Sequence, residues 1–171
     1  MSRTTNRLAA VALGALVSVA GSTAAAQADT GTITDPKPNI TKVKVSHGST
    51  SIKVTTTTGA IRPGTYLTVY LDTDPDDPGP EYRHDLVPAS ELSPLMRIEK
   101  FGQQGVAVPC ADLRGRGDVY GPTTVSVTVP RSCVGNPDEV RVSVRGYFDL
   151  KGPDVIDWAP GKKTFGGWVA R

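Results

Sequence analysis

The sequence predicts an all-β protein: an antiparallel β-sandwich, immunoglobulin-like or jelly-roll-like, with one disulfide. Three observations carry this. Apolar and polar residues alternate with period two along several runs, the pattern of strands that bury one face. Turn-forming residues separate these runs at short intervals, as in two packed antiparallel sheets. After the first 28 residues no segment sustains an apolar stripe at helical spacing. A closed barrel is the competing layout.

The chain opens "MSRTTNRLAAVALGALVSVAGSTAAAQAD". Arg3 and Arg7 precede an apolar stretch from Leu8 to Ala20, and Ala26-Gln27-Ala28 fits a small-x-small cleavage site. The apolar stretch is shorter than the roughly 20 residues a membrane span needs. Residues 1–28 therefore read as a secretory signal peptide, and no membrane span is expected after its removal. Asp29 to Asn39, "DTGTITDPKPN", reads as a flexible lead-in. Residues 40–171 form the single expected domain, long enough for a real core.

Strands follow in order. "ITKVKVS" sets Val43 and Val45 against Lys42 and Lys44, and "TSIKVTTTT" sets Ile52 and Val54 against Lys53. His47 to Ser49 is the expected hairpin turn between them. "TYLTVYL" places Leu67, Val69 and Leu71 on one face and Tyr66, Thr68 and Tyr70 on the other. "YRHDLVP", "SPLMRIEKF" and "GVAVPC" supply shorter extended segments, and residues 111–122 read as a long loop. "TVSVTVP" and "EVRVSVRGYF" repeat the valine alternation around a "GNPD" turn. A last strand is expected near Thr164–Val169.

Cys110 and Cys133 are the two cysteines. In an exported chain an even pair reads as one disulfide, worth about 3 kcal/mol in the chain-entropy picture. The formal charge of +2 comes from Arg3 and Arg7, so residues 29–171 hold equal numbers of basic and acidic side chains. This balance argues against a nucleic-acid partner and against general binding to anionic membranes.

The densest candidate site is "YLDTDPDDPGPEYRHD", Tyr70 to Asp85. Asp72, Asp74, Asp76, Asp77 and Glu81 are hard oxygen ligands, the type Ca²⁺ takes six to eight at a time. The loop is no EF-hand: with Asp72 first, Asp77 stands where glycine is required and Arg83 where the terminal glutamate belongs. Calcium is the one cofactor this spacing suggests. The competing reading is an acidic turn whose carboxylates accept local backbone N–H groups. His84 beside Asp85 makes no ready dyad in an extended strand and is expected to be exposed or hydrogen-bonded. No HExxH, GxSxG or phosphate-binding glycine motif occurs. Tyr147, Trp158 and Trp168 are either core-sealing aromatics or a ligand platform. Arg116-Gly117-Asp118 matches a three-residue adhesion motif too short to weigh against a plain loop.

Three segments resemble a family of small exported actinobacterial proteins of unassigned function: "YLDTDPDDPGPEY", "VPRSCVGNPDEVRVSVRGY" and "DWAPGKKTFGGWVAR". The resemblance implies secretion and a β-rich domain, and it brings no catalytic residue or ligand. The expected function is that of a secreted or envelope-associated, non-enzymatic β-domain, a structural or binding module for an extracellular protein or polymer. The alternatives are a calcium-stabilised module for a glycan or cell-wall polymer, and a small secreted hydrolase.

Overall fold

A computed structural model describes residues 29–34, 39–87, 93–117, 122–148 and 155–171. Residues 1–28, read from the sequence as a signal peptide, lie outside the described residues, as does Asp118 of the Arg-Gly-Asp match. The chain forms two antiparallel sheets packed face to face. Strands β1 (Asp29–Thr34), β2 (Ile40–His47), β3 (Ser51–Ala60), β8 (Arg114–Arg116) and β9 (Pro122–Pro130) build a five-stranded sheet in the order β1-β2-β3-β9-β8. The second sheet holds β4 (Tyr66–Asp72), β5 (Tyr82–Leu86), β6 (Leu95–Arg97), β7 (Val106–Val108), β10 (Glu139–Phe148), β11 (Val155–Ala159) and the short β12 (Val169–Ala170). Its order is β11-β10-β4-β5-β6-β7, with β12 paired to the start of β10.

The alternation places the core as read. Val43, Val45, Ile52, Val54, Val125, Val127 and Val129 point inward from the first sheet. Leu67, Val69, Leu71, Val140, Val142, Val144 and Phe148 meet them from the second. A bulge between Ile40 and Lys42 keeps Ile40 on the inner face. Gly146 takes an inward position on β10 where a Cβ would collide with the Phe148 ring, so the phenyl group folds back over bare backbone.

Cys110, just past β7, bonds Cys133 in the 3-10 turn Arg131–Val134 that follows β9. Their Cα atoms are 5.6 Å apart, and the bridge ties the edge of one sheet to the other. Buried Arg131 fixes the same corner. Its guanidinium donates to the Ser49, Asn136 and Pro137 carbonyls.

Several expectations are corrected. The lead-in is not a free arm throughout, because Asp29–Thr34 pairs with β2 in a register running from Asp29↔His47 to Thr34↔Lys42. Residues 35–38 of that lead-in lie outside the described residues. Edge pairing uses backbone groups, so a strand can form there with Ile33 as its only large apolar residue. The loop read over 111–122 contains β8, paired with β9. The terminal strand is confined to Val169–Ala170, while Val155–Ala159 supplies the longer strand of that region. His84 is not exposed: it sits on the inner face of β5, and neither ring nitrogen makes a well-formed hydrogen bond among the described residues.

Candidate functional site

The outward face of the seven-stranded sheet departs from the polar face expected of a half-buried sheet. Outward positions on the adjacent strands β4 and β10 pair as Asp72↔Arg141, Tyr70↔Ser143, Thr68↔Arg145 and Tyr66↔Tyr147. On β11, Trp158 lies opposite Arg145 and Ile156 opposite Tyr147. Strand β4 is consequently buried on both faces, with Tyr70 only 1% exposed.

Aromatic rings build this second layer. Trp158 stacks on Tyr70 at 5.8 Å between centroids, and Phe101 meets both edge-on. Phe165 continues the row from Phe101 at 5.1 Å. Arg141 lies over the Phe165 and Trp168 rings at 5.0 and 4.6 Å, and Arg145 lies over Tyr66, itself stacked on Tyr147. Seven of the chain's ten aromatic residues thus belong to the outward layer, and among the described residues the interior between the sheets is aliphatic apart from Phe148 and the half-buried Tyr82. Such offset-stacked and edge-on geometries, with cations over ring faces, are the favoured ones.

Of the three residues expected as a ligand platform, all share this face, but they form no common open surface. Trp158 is 9% exposed and belongs to the packed layer, Tyr147 is stacked on Tyr66, and Trp168 carries the Arg141 guanidinium. What remains open is a cleft of about 550 Å³ beside them. Tyr70, Phe101 and Trp158 make its apolar wall, and Arg145, Lys162 and Lys163 contribute the cations.

Two tight turns set the cleft's sides. Gln103 N–H donates to the Lys100 carbonyl, with Gly102 at φ +80°, a conformation glycine adopts without a steric cost; the turn holds Phe101 over the sheet. Across from it, Thr164 N–H donates to the Gly161 carbonyl, and Lys163 occupies the left-handed region at φ +56°. A lysine there is strained by about 1 kcal/mol relative to glycine, and strained side chains cluster at working sites. Lys162 and Lys163 are exposed, and no carboxylate pairs with either lysine or with Arg145 among the described residues. Burial raises the Tyr70 phenol pKa, against a smaller lowering by Arg145, so the ring stays neutral.

The acidic loop is placed differently. Asp72 closes β4 with its side chain fully buried and accepts from Arg141 Nη2 and Nε at 2.6 and 2.7 Å. Burial raises its pKa, opposed by Arg141. Glu81 accepts from the Thr73 N–H at 2.6 Å and from the Thr73 hydroxyl at 3.1 Å; burial raises its pKa also. Asp74 accepts from the Asp76 N–H at 3.0 Å, a local Asx turn, and Asp74, Asp76 and Asp77 are exposed. Asp72, Asp74 and Glu81 thus turn to separate partners, and Asp76 and Asp77 face solvent. Among the described residues no three His, Cys, Asp or Glu side chains converge as a metal ion requires. His47 Nδ1 lies 3.1 Å from the Val169 carbonyl, far in role from a base beside a nucleophile. Ser143 Oγ is buried without a hydrogen-bond partner among the described residues.

Sequence reasoning singled out Trp158 but not Arg141, Arg145, Phe101 or Lys163 as its companions. The available signal was the arginine pair at alternate positions of "EVRVSVRGYF", polar positions facing the same way as Tyr147. No protein-family model, curated protein or solved structure matches the chain.

Proposed function

We propose that the protein is an exported, non-enzymatic binding domain whose ligand site is the cleft on the outward face of the seven-stranded sheet. The observation that carries this reading is the meeting, in one concave place, of a ring wall with three cations that no carboxylate pairs among the described residues. Aromatic residues and arginine contribute most per side chain to recognition, and a site of about 300–1,000 Å³ suits a ligand or a protruding group of a larger partner. Export rests on the charged and apolar leader of residues 1–28 and agrees with the Cys110–Cys133 bridge.

The test is retention of purified residues 29–171 by washed cell-envelope material. Lys162→Ala/Lys163→Ala should weaken retention by about tenfold. Lys42→Ala/Lys44→Ala, on the other sheet, should leave it unchanged. Equal retention of both double variants would remove the cleft as the contact.

A further inference from the structure

The hydrogen-bonding character of the cleft narrows what can enter it. Its charged rim is made of donors alone: guanidinium and ammonium groups carry N–H bonds and no acceptor lone pair. Asp157, the one carboxylate among the described residues of the lining, is 4% exposed and already engaged. Its Oδ2 accepts from the Ile40 N–H of the opposite sheet at 3.0 Å, and its Oδ1 accepts from the Trp158 N–H at 2.9 Å. Tyr70 offers the other side-chain oxygen, on a residue 1% exposed. A sugar ring presents several hydroxyls that each donate as well as accept, and in this cleft their protons would find few acceptors. Burying unpaired donors costs about 1–3 kcal/mol apiece.

The apolar part of the lining points the same way. Ile156 stands 54% exposed on the edge strand β11, next to the Trp158 and Phe101 wall. A large exposed aliphatic residue beside unpaired cations suits a ligand with an apolar body and an anionic end.

We propose that the cleft binds a small organic anion, a carboxylate or phosphate on an aryl or alkyl body poor in hydroxyl groups, with the body against Ile156, Phe101 and Trp158 and the charge at Arg145, Lys162 and Lys163. This rests on the assignment of the cleft as the ligand site and specifies its chemistry. The charge is drawn in by cations that no carboxylate pairs among the described residues, so binding weakens with salt. The left-handed backbone at Lys163 sets the direction in which that side chain leaves the turn.

Three probes separate the parts of the claim: naphthoate, its neutral counterpart naphthylmethanol, and acetate, an anion without the body. Each is titrated into purified residues 29–171 while the indole emission is followed, with calorimetry to confirm the site count. Naphthoate should bind one site, at least about tenfold more tightly than either control. Arg145→Gln/Lys162→Gln should erase that advantage, and Lys42→Gln/Lys44→Gln should preserve it. Trp158→Phe identifies the emission change with the cleft, since Trp168 remains. Equal binding of naphthoate and naphthylmethanol would overturn the anion. Equal binding of acetate would overturn the apolar body. Binding to phosphatidylglycerol vesicles without binding to naphthoate would overturn the small ligand in favour of a membrane surface. Failure of naphthoate, together with cleft-dependent retention by envelope material, would sink this inference alone. Failure of both would sink the cleft itself.

Discussion

On the five-stranded sheet, Lys44, Lys53 and Thr124 stand outward into solvent between inward valines and isoleucine, as period-two strands with one wet face should. On the seven-stranded sheet, the outward positions of β4, β10 and β11 carry Tyr70, Arg145 and Trp158 instead, beneath a layer supplied by Phe101 and Phe165. Both sheets contribute aliphatic side chains to the same interior. Among the described residues only the second has a cover of its own, and the cleft lies beside that cover. The contrast is what the proposed binding site rests on: the described outward positions of the first sheet are polar, whereas the second holds rings and cations in fixed register.

The largest difference between the faces should appear in stability. Trp158→Ala removes a buried ring from the outward layer and is expected to cost about 3–5 kcal/mol. Lys53→Ala, at an exposed position of β3, should change stability by less than about 0.5 kcal/mol. Urea unfolding at constant m-value measures both. Similar midpoints for the two variants would show that the aromatic layer rests on the sheet without stabilising it.

The Asp72–Arg141 pair gives the next effect. Arg141→Met keeps the side chain between Phe165 and Trp168 but leaves Asp72 buried without its cation. The expected loss is about 2–3 kcal/mol, below that for a fully enclosed pair because a quarter of Arg141 is exposed. Asp72→Leu/Arg141→Met should recover part of it, because an apolar pair leaves no charge stranded. A double variant no more stable than Arg141→Met would show that the carboxylate's burial is not the source of the loss.

The inner faces were legible in the sequence because alternation is local: Val43, Val45, Val127 and Val142 declare their side within a few residues. The outer layer was not. Period two says that Tyr70 points away from Leu71, and it does not say what lies above Tyr70. That depends on Phe101 and Trp158, from segments about 30 and 90 residues further on, and on a strand order that sequence pattern does not reveal. The acidic loop misleads for a related reason. Asp72, Asp74 and Asp76 are close in sequence, yet Asp72 belongs to Arg141, which lies 69 residues away. Polar alternation in Asp29–Thr34 was equally silent, since an edge strand forms through its backbone.

Each sheet also buries a histidine, and both respond to pH in the same direction. His47, in the first, has its pKa lowered by burial, opposed by the Val169 carbonyl and Asp138 while Arg131 and Arg171 add to the lowering. His84, in the second, is lowered by burial against a weaker pull from the Pro94 carbonyl and Asp85. Above the ordinary value of 6.5 both are neutral in either state and cost nothing. Below it the unfolded chain takes up protons that the folded chain refuses, so stability falls as pH falls from 6.5 toward the lowered folded values. The slope that each histidine contributes within that window is at most about 1.4 kcal/mol per pH unit, the value for one whole proton. Asp72 and Glu81, raised by burial, act with the opposite sign: the folded state binds their protons first, and acidification through their window adds stability. Comparing wild type with His84→Leu cancels the carboxylates, which both proteins share. Urea unfolding at pH values stepped down from neutrality should show the two stabilities converging or crossing below pH 6.5, with a shallower slope in the variant. Parallel curves would mean that His84 takes up its proton equally in the folded and unfolded chains, and that its burial on the inner face of β5 does not exclude it.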